Sequence, residues 1–159
     1  VQGDAEIVEF LNEHLTAELT IINQYFLNSR MLHNWGLPGL AKLFHDRSME
    51  EMNDSVELID RILYFEGHPN LQRLDTVRVG ETPREMIELA LECEVEAIER
   101  LQRGVELAVA KHDAGTRELL AGMLREEEEH ADDFESQLDA IRMVGLENYL
   151  ARYAHPEST

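Results

Sequence analysis

The 159-residue chain holds one cysteine, four prolines, one tryptophan and 14 basic residues against 33 acidic ones. The single thiol, Cys93, excludes an intrachain disulfide and any metal or redox motif built on paired cysteines. The shortage of Lys and Arg leaves a net charge of −19 at pH 7. That charge argues against nucleic acid and anionic membranes as partners and suits cations as clients. No uninterrupted apolar run approaches ~18 residues, so no membrane-spanning helix is expected. Val1-Gln2-Gly3-Asp4 carries no basic-then-apolar export signal. These shortages describe a soluble protein of a reducing, cytoplasmic compartment. The length suits a single domain over residues 1–159 with a core of its own.

Proline and glycine fall at a few places, and between them run four long segments with an apolar period near 3.6 residues. Asp4 suits an N-cap, and the stripe Val8, Leu11, Leu15, Glu18, Ile22, Tyr25, Leu32 runs to a stop near Trp35-Gly36. Pro38 fits the first turn of a second helix with the stripe Phe44, Ser48, Glu51, then Asp54 or Ser55, Leu58, Ile62, Phe65. Gly67 and Pro69 close it. Thr82-Pro83-Arg84-Glu85 is a capping box that opens a third, with Ile87, Leu91, Glu94, Ile98, Leu101, Val105 and Ala108. After a turn over Lys111 to Thr116, capped by Asp113 or Thr116, the fourth carries Leu120, Met123, Glu127, His130, Phe134, Leu138 and Ile141 up to Gly145. A short fifth helix over Glu147 to Tyr153 and a polar tail containing Pro156 follow.

The pattern predicts an all-α four-helix bundle. The first and third connections are short, so each joins antiparallel neighbours. The second, residues 68–81, has 14 residues and can reach ~46 Å at ~3.3 Å each. A second helix of about 29 residues is ~43 Å long. The connection can therefore return along the bundle and set helices two and three parallel. One long crossover of this kind is the ferritin-like arrangement.

Every stripe is broken by an acid: Glu18, Glu51, Glu94 and Glu127, the last followed three residues on by His130. Residues three apart on a helix share a side, so Glu127 and His130 point together. One such interruption has ordinary explanations: an exposed stripe, or a Glu–His pair bonded within the core. Four at one level do not. Glu18 lies 17 residues before Trp35, Glu51 lies 13 after Pro38, Glu94 lies 12 after Thr82, and Glu127 lies 18 before Gly145. At ~1.5 Å per residue all sit ~18–27 Å from one end of the bundle. Glu18 and Glu51 are 33 residues apart, as are Glu94 and Glu127; a shift of 76 maps one pair onto the other and Asp54 onto His130. Carboxylates and imidazole at a bundle centre are the ligand set of di-iron and di-manganese proteins. The competing reading is a carboxylate cluster held by hydrogen bonds and shared protons, which requires most of the acids to stay neutral together.

Six segments carry a resemblance to a known family: Gly3-Asp4, Asn23-Gln24-Tyr25-Phe26, Asn34-Trp35-Gly36, Arg61-Ile62-Leu63, Glu66 to Gln72, and Gly145 to Leu150. Over nearly its full length the chain resembles bacterioferritin. The resemblance implies a hollow cage of 24 subunits, built from dimers, that stores iron as a ferric mineral. It also implies a ferroxidase centre, in which two irons are oxidised by O₂ or peroxide, and haem b between twofold-related subunits. By matching position, Glu18, Glu51, Glu94, Glu127 and His130 form the centre, and Met52 holds the haem iron. The family has an E-x-x-H on helix two as well; here Asp54 stands where its His is expected, as a further metal ligand with a shorter, charged arm. An inner-surface His of some relatives is likewise replaced by Asp46. Independently, a second apolar set on helix two (Met49, Met52, Val56, Ile59, Leu63) and one on helix one (Leu19, Phe26, Trp35) predict a partner subunit. Asp54 also favours an alternative: a haem-carrying structural subunit with an impaired centre, co-assembled in a mixed cage with a competent relative. The single cysteine opposes a di-iron peroxidase with a rubredoxin-like module.

Overall fold

Local chemistry decides where each helix starts. The Asp4 carboxylate accepts from the Glu6 and Ile7 N–H groups and opens α1, Ala5–Asn34. Pro38 takes the first position of α2, Pro38–Tyr64, without a side-chain cap. Thr82 accepts from Glu85 N–H and opens α3, Pro83–Ala110. The box is displaced by one residue, since the Glu85 carboxylate accepts from Glu81 N–H at 3.3 Å rather than from Thr82. Asp113, not Thr116, caps α4, Ala114–Val144, and Gly145 at φ 84° separates it from α5, Leu146–Arg152. This is a computed structural model that describes residues 1–154; Pro156 lies outside the described residues, and no strand occurs among them.

Three helix ends share one device: a residue in the left-handed region, followed by an N–H that reaches back five residues. Gly36 serves at φ 80°, with Leu37 N–H bonded to Leu32 C=O. Glu66 and His112 do the same at φ 61° and 56°, without being glycine. Gly67 is needed for a different reason: a Cβ there would stand 2.7 Å from Val8 Cγ1. Because α2 stops at Tyr64, the crossover runs over 65–82 and is longer than the 14 residues expected.

The crossover climbs the bundle along α1. Asn70 N–H donates to Asn12, Asp75 N–H to Thr20 and Arg78 N–H to Gln24, so each acceptor is further up α1 than the one before. Arg78 then grips Glu96 of α3, donating from both terminal guanidinium nitrogens. Two apolar clusters fill the interior. The upper holds Tyr25 and Leu32 of α1, Leu40 and Phe44 of α2, Met86 and Ala90 of α3, and Phe134 and Ile141 of α4, closed by Tyr149 and Tyr153. The lower holds Ile7, Leu11, Leu58, Ile62, Leu101, Ala108, Leu120 and Met123. α2 and α3 both start in the upper cluster and end in the lower one, so they run parallel. The chain is a four-helix bundle with one long crossover and a short fifth helix.

Candidate metal centre

Between the two apolar clusters lies a polar belt. Glu18, Glu51, Glu94 and Glu127 are each fully buried, with Asp54 and His130 exposed by only 7% and 6%. They form two overlapping groups, in each of which the donor atoms lie within 4.8 Å of one another: Glu51, Glu94, Glu127 and His130, and Glu18, Glu51, Asp54 and Glu127. Glu51 and Glu127 belong to both. All six residues expected from sequence are thus brought together, one acid from each long helix and the two pseudo-equivalent residues Asp54 and His130 on opposite groups.

The belt is poorly satisfied by protein alone. Both oxygens of Glu18, Glu51 and Glu127, Oε2 of Glu94 and Nδ1 of His130 have no hydrogen-bond partner among the described residues. Buried polar groups are ordinarily bonded, and buried charges ordinarily paired or on a metal. Burial, and then neighbouring carboxylates, push Glu51 and Glu94 well above the ordinary carboxylate range; Glu18 and Glu127 are raised as well, chiefly by burial. Burial works against a charged His130, but Glu127 and Glu51 outweigh it and lift its pKa to about 11. Hard carboxylate oxygens with one imidazole, aimed at two adjoining points, fit a pair of divalent cations. Loading them displaces the protons that the acids and His130 otherwise hold.

Several side chains around the belt escaped the sequence reading. Tyr25 O–H donates to Glu94 Oε1 at 2.6 Å and fixes that carboxylate. His130 Nε2 stands 2.9 Å from Glu50 Oε2. His14, fully buried, places Nε2 2.9 Å from Glu18 Oε1. Burial, reinforced by the charge of Arg100, drops the His14 pKa to about 3, so the ring is neutral. The signal available for His14 and Tyr25 was their place on the inner side of α1, at steps of four and seven from Glu18. Nothing marked Glu50, which has the look of a solvated helix acid.

Asp54 differs from its pseudo-mate in surroundings as well as in type. Burial first, and the nearby Glu126 second, raise its pKa to about 7. It lines a cleft of about 390 Å³ together with Arg47, Glu50, Asn53, Glu126, Glu129 and His130. The cleft lies between α2 and α4 and is lined by one member of each donor group, Asp54 and His130.

Met52 lies apart from the belt, 41% exposed on an apolar strip with Met49, Val56 and Leu63; Phe26 of α1 is also exposed. Met52 carries a thioether, a group able to ligate haem iron.

The ferritin-like domain family matches residues 8–144. The chain is 48% identical to the bacterioferritin of Streptomyces coelicolor, over 95% of this chain and 90% of the relative. It is 42% identical to a bacterioferritin of Mycobacterium tuberculosis, over 96% of each chain. To the bacterioferritin of Rhodobacter capsulatus it is 36% identical, over 98% of this chain and 97% of the relative. A bundle with one long crossover, a carboxylate–imidazole belt at its centre and likeness of this extent place the chain in the bacterioferritin branch of the ferritin-like family.

Proposed function

We propose that the protein stores iron and oxidises Fe(II) at the belt, and that the two overlapping donor groups are the two metal positions. The observation that carries this reading is the sharing of Glu51 and Glu127 between the groups. Glu51 and Glu127 would serve both metals, Glu94 and His130 would complete one position, and Glu18 and Asp54 would complete the other. The cleft over Asp54 and His130 passes Fe(II) inward, and its rim acids Glu50, Glu126 and Glu129 favour cations. Two adjacent Fe(II) ions supply two electrons, which match the two-electron reduction of O₂ to peroxide or of peroxide to water. Buried carboxylates favour the higher-charged Fe(III) product, so oxidation is drawn forward. The protons released on loading leave by the same polar cleft. Tyr25 keeps Glu94 oriented throughout.

The protein works as a cage of 24 copies built from dimers. Met52 and the exposed apolar strip form the twofold contact and hold haem b, which supplies one-electron chemistry when bound. The shorter Asp54 leaves the position it shares with Glu18 under-coordinated. That residue gives weight to a second reading, a structural subunit in a mixed cage with a competent relative.

Fe(II) oxidation by the purified protein, alone and mixed with such a relative, separates the two. Asp54→His is expected to speed oxidation and raise metal occupancy beside Glu18, and His130→Asp to abolish what activity the native chain has. A native chain as fast as Asp54→His, with both positions filled in Fe(II)-soaked crystals, would remove the impaired-site reading and leave the plain ferroxidase.

A further inference from the structure

The inner side of α1 carries a ladder that ends on Glu18. Phe10, His14 and Glu18 are spaced four apart, so they stack along one face. The Phe10 and His14 rings are nearly parallel, 4° apart, with centroids 6.4 Å distant. Beyond His14, Nε2 meets Glu18 Oε1 at 2.9 Å. Neither His14 nitrogen makes a hydrogen bond of good geometry among the described residues, and neither does either Glu18 oxygen. A fully buried imidazole with both nitrogens unpaired is costly unless something is done with it. The ladder is anchored from the opposite helix. Gly104 of α3 faces Phe10, and a Cβ there would come within 2.3 Å of Phe10 Cε1 and Cζ. Only the missing side chain at 104 lets the Phe10 ring lie where it supports His14.

We propose that His14 is the positioning residue for Glu18: its Nε2–H donates to the Glu18 carboxylate when that carboxylate turns onto a metal, and Phe10 against Gly104 holds the ring in place. The inference rests on Glu18 being a ligand. His14 acts on the carboxylate rather than on the metal, because it belongs to neither group of donors lying within 4.8 Å of one another. Ligating groups are ordinarily oriented by partners behind them, and losing such a partner costs ~10–100-fold in metal affinity. The effect falls on the position that Asp54 leaves under-coordinated, where Glu18 has most to do. Helix one thus supplies from behind the orientation that helix two, with Asp54 in place of a histidine, supplies less firmly.

The test is Co(II) titration of the assembled protein, read by its ligand-field absorption, with circular dichroism and sedimentation as controls on fold and assembly. The native chain is expected to take up two Co(II) per subunit. His14→Leu keeps the bulk and removes the donor; it should weaken the second equivalent ~10–100-fold, change that spectrum, and spare the first. His14→Gln keeps an N–H and should restore much of the lost affinity. Gly104→Ala, which displaces Phe10, should move the second equivalent in the same direction as His14→Leu. Native-like binding of both equivalents by His14→Leu would overturn the proposal, as would equal losses in the Leu and Gln variants with the fold intact. A native chain that takes up no Co(II) would instead overturn the metal centre itself, and this inference with it.

Discussion

Asp54 is where a single residue changes the chemistry most. Its carboxyl is half-protonated at about pH 7 because burial and Glu126 both disfavour its charge. A protonated carboxyl is a poor ligand, so Asp54 adds to the raised acids Glu18, Glu51 and Glu127 in making metal binding at this position strengthen as pH rises. Removing the second cause tests the first: Glu126→Gln should lower the Asp54 pKa and slide the midpoint of Co(II) binding to lower pH. A pH profile identical to the native one would show that Glu126 has no hold on metal binding through Asp54. Asp54 itself was readable from sequence, since a shift of 76 sets it opposite His130. His14 was not, because a histidine on an inner helix face looks the same whether it packs, bonds or orients. Only the stacking on Phe10 and the gap over Gly104 distinguish those roles, and the second depends on a helix distant in sequence.

Among the elements, α4 illustrates how one residue can fasten two helices. Asp113 accepts from Thr116 N–H at the start of α4 and from Arg61 of α2 at 3.0 Å. Burial alone would raise its pKa, but Thr116 and Arg61 outweigh burial and lower it below the ordinary 3.8. A carboxyl depressed in the folded state stabilises above its unfolded pKa and loses that contribution as pH falls through the folded value. Asp113→Ala should therefore cost about 1–2 kcal/mol near neutrality. The gap to the native chain should begin to close near pH 4 and narrow further as pH falls through the lowered folded value. Urea unfolding at the two pH values measures it, and a gap independent of pH would place the stabilisation elsewhere. Helix starts were legible because Asp4, Pro38 and Pro83 announce them. The turn expected from Lys111 likewise matches the end of α3 at Ala110. The end at Glu66 was less legible: it takes the left-handed conformation without glycine, held there by the hydrogen bonds that close the helix. That is also why the crossover is longer than its sequence suggested.

At the scale of the whole molecule, the strip bearing Met49, Met52, Val56 and Leu63 is the surface left over once the core is built. Sequence exposed it as a surplus apolar face, and the bundle leaves it turned outward. Met52→Leu keeps its size and hydrophobicity and removes the sulfur. The purified assembly should then lose its Soret absorbance while sedimenting as before. Haem retained in full would assign the ligand to another residue, and sedimentation of the native chain as a monomer would remove the cage.

The belt that divides the core in two also sets the thermal behaviour of the chain. Four fully buried acids lie between the two apolar clusters, and their oxygens find few partners in the protein. Anything that binds the folded chain and not the unfolded one raises its stability, by ~2.7 kcal/mol at a hundred times the dissociation constant. The melting temperature should accordingly climb when Co(II) or Zn(II) is added and fall back on chelation; a melt indifferent to both would mean that the acids are balanced without metal. An unfilled subunit is then the more fragile one, and its lifetime in the cell becomes a readout of how much metal there is to hold.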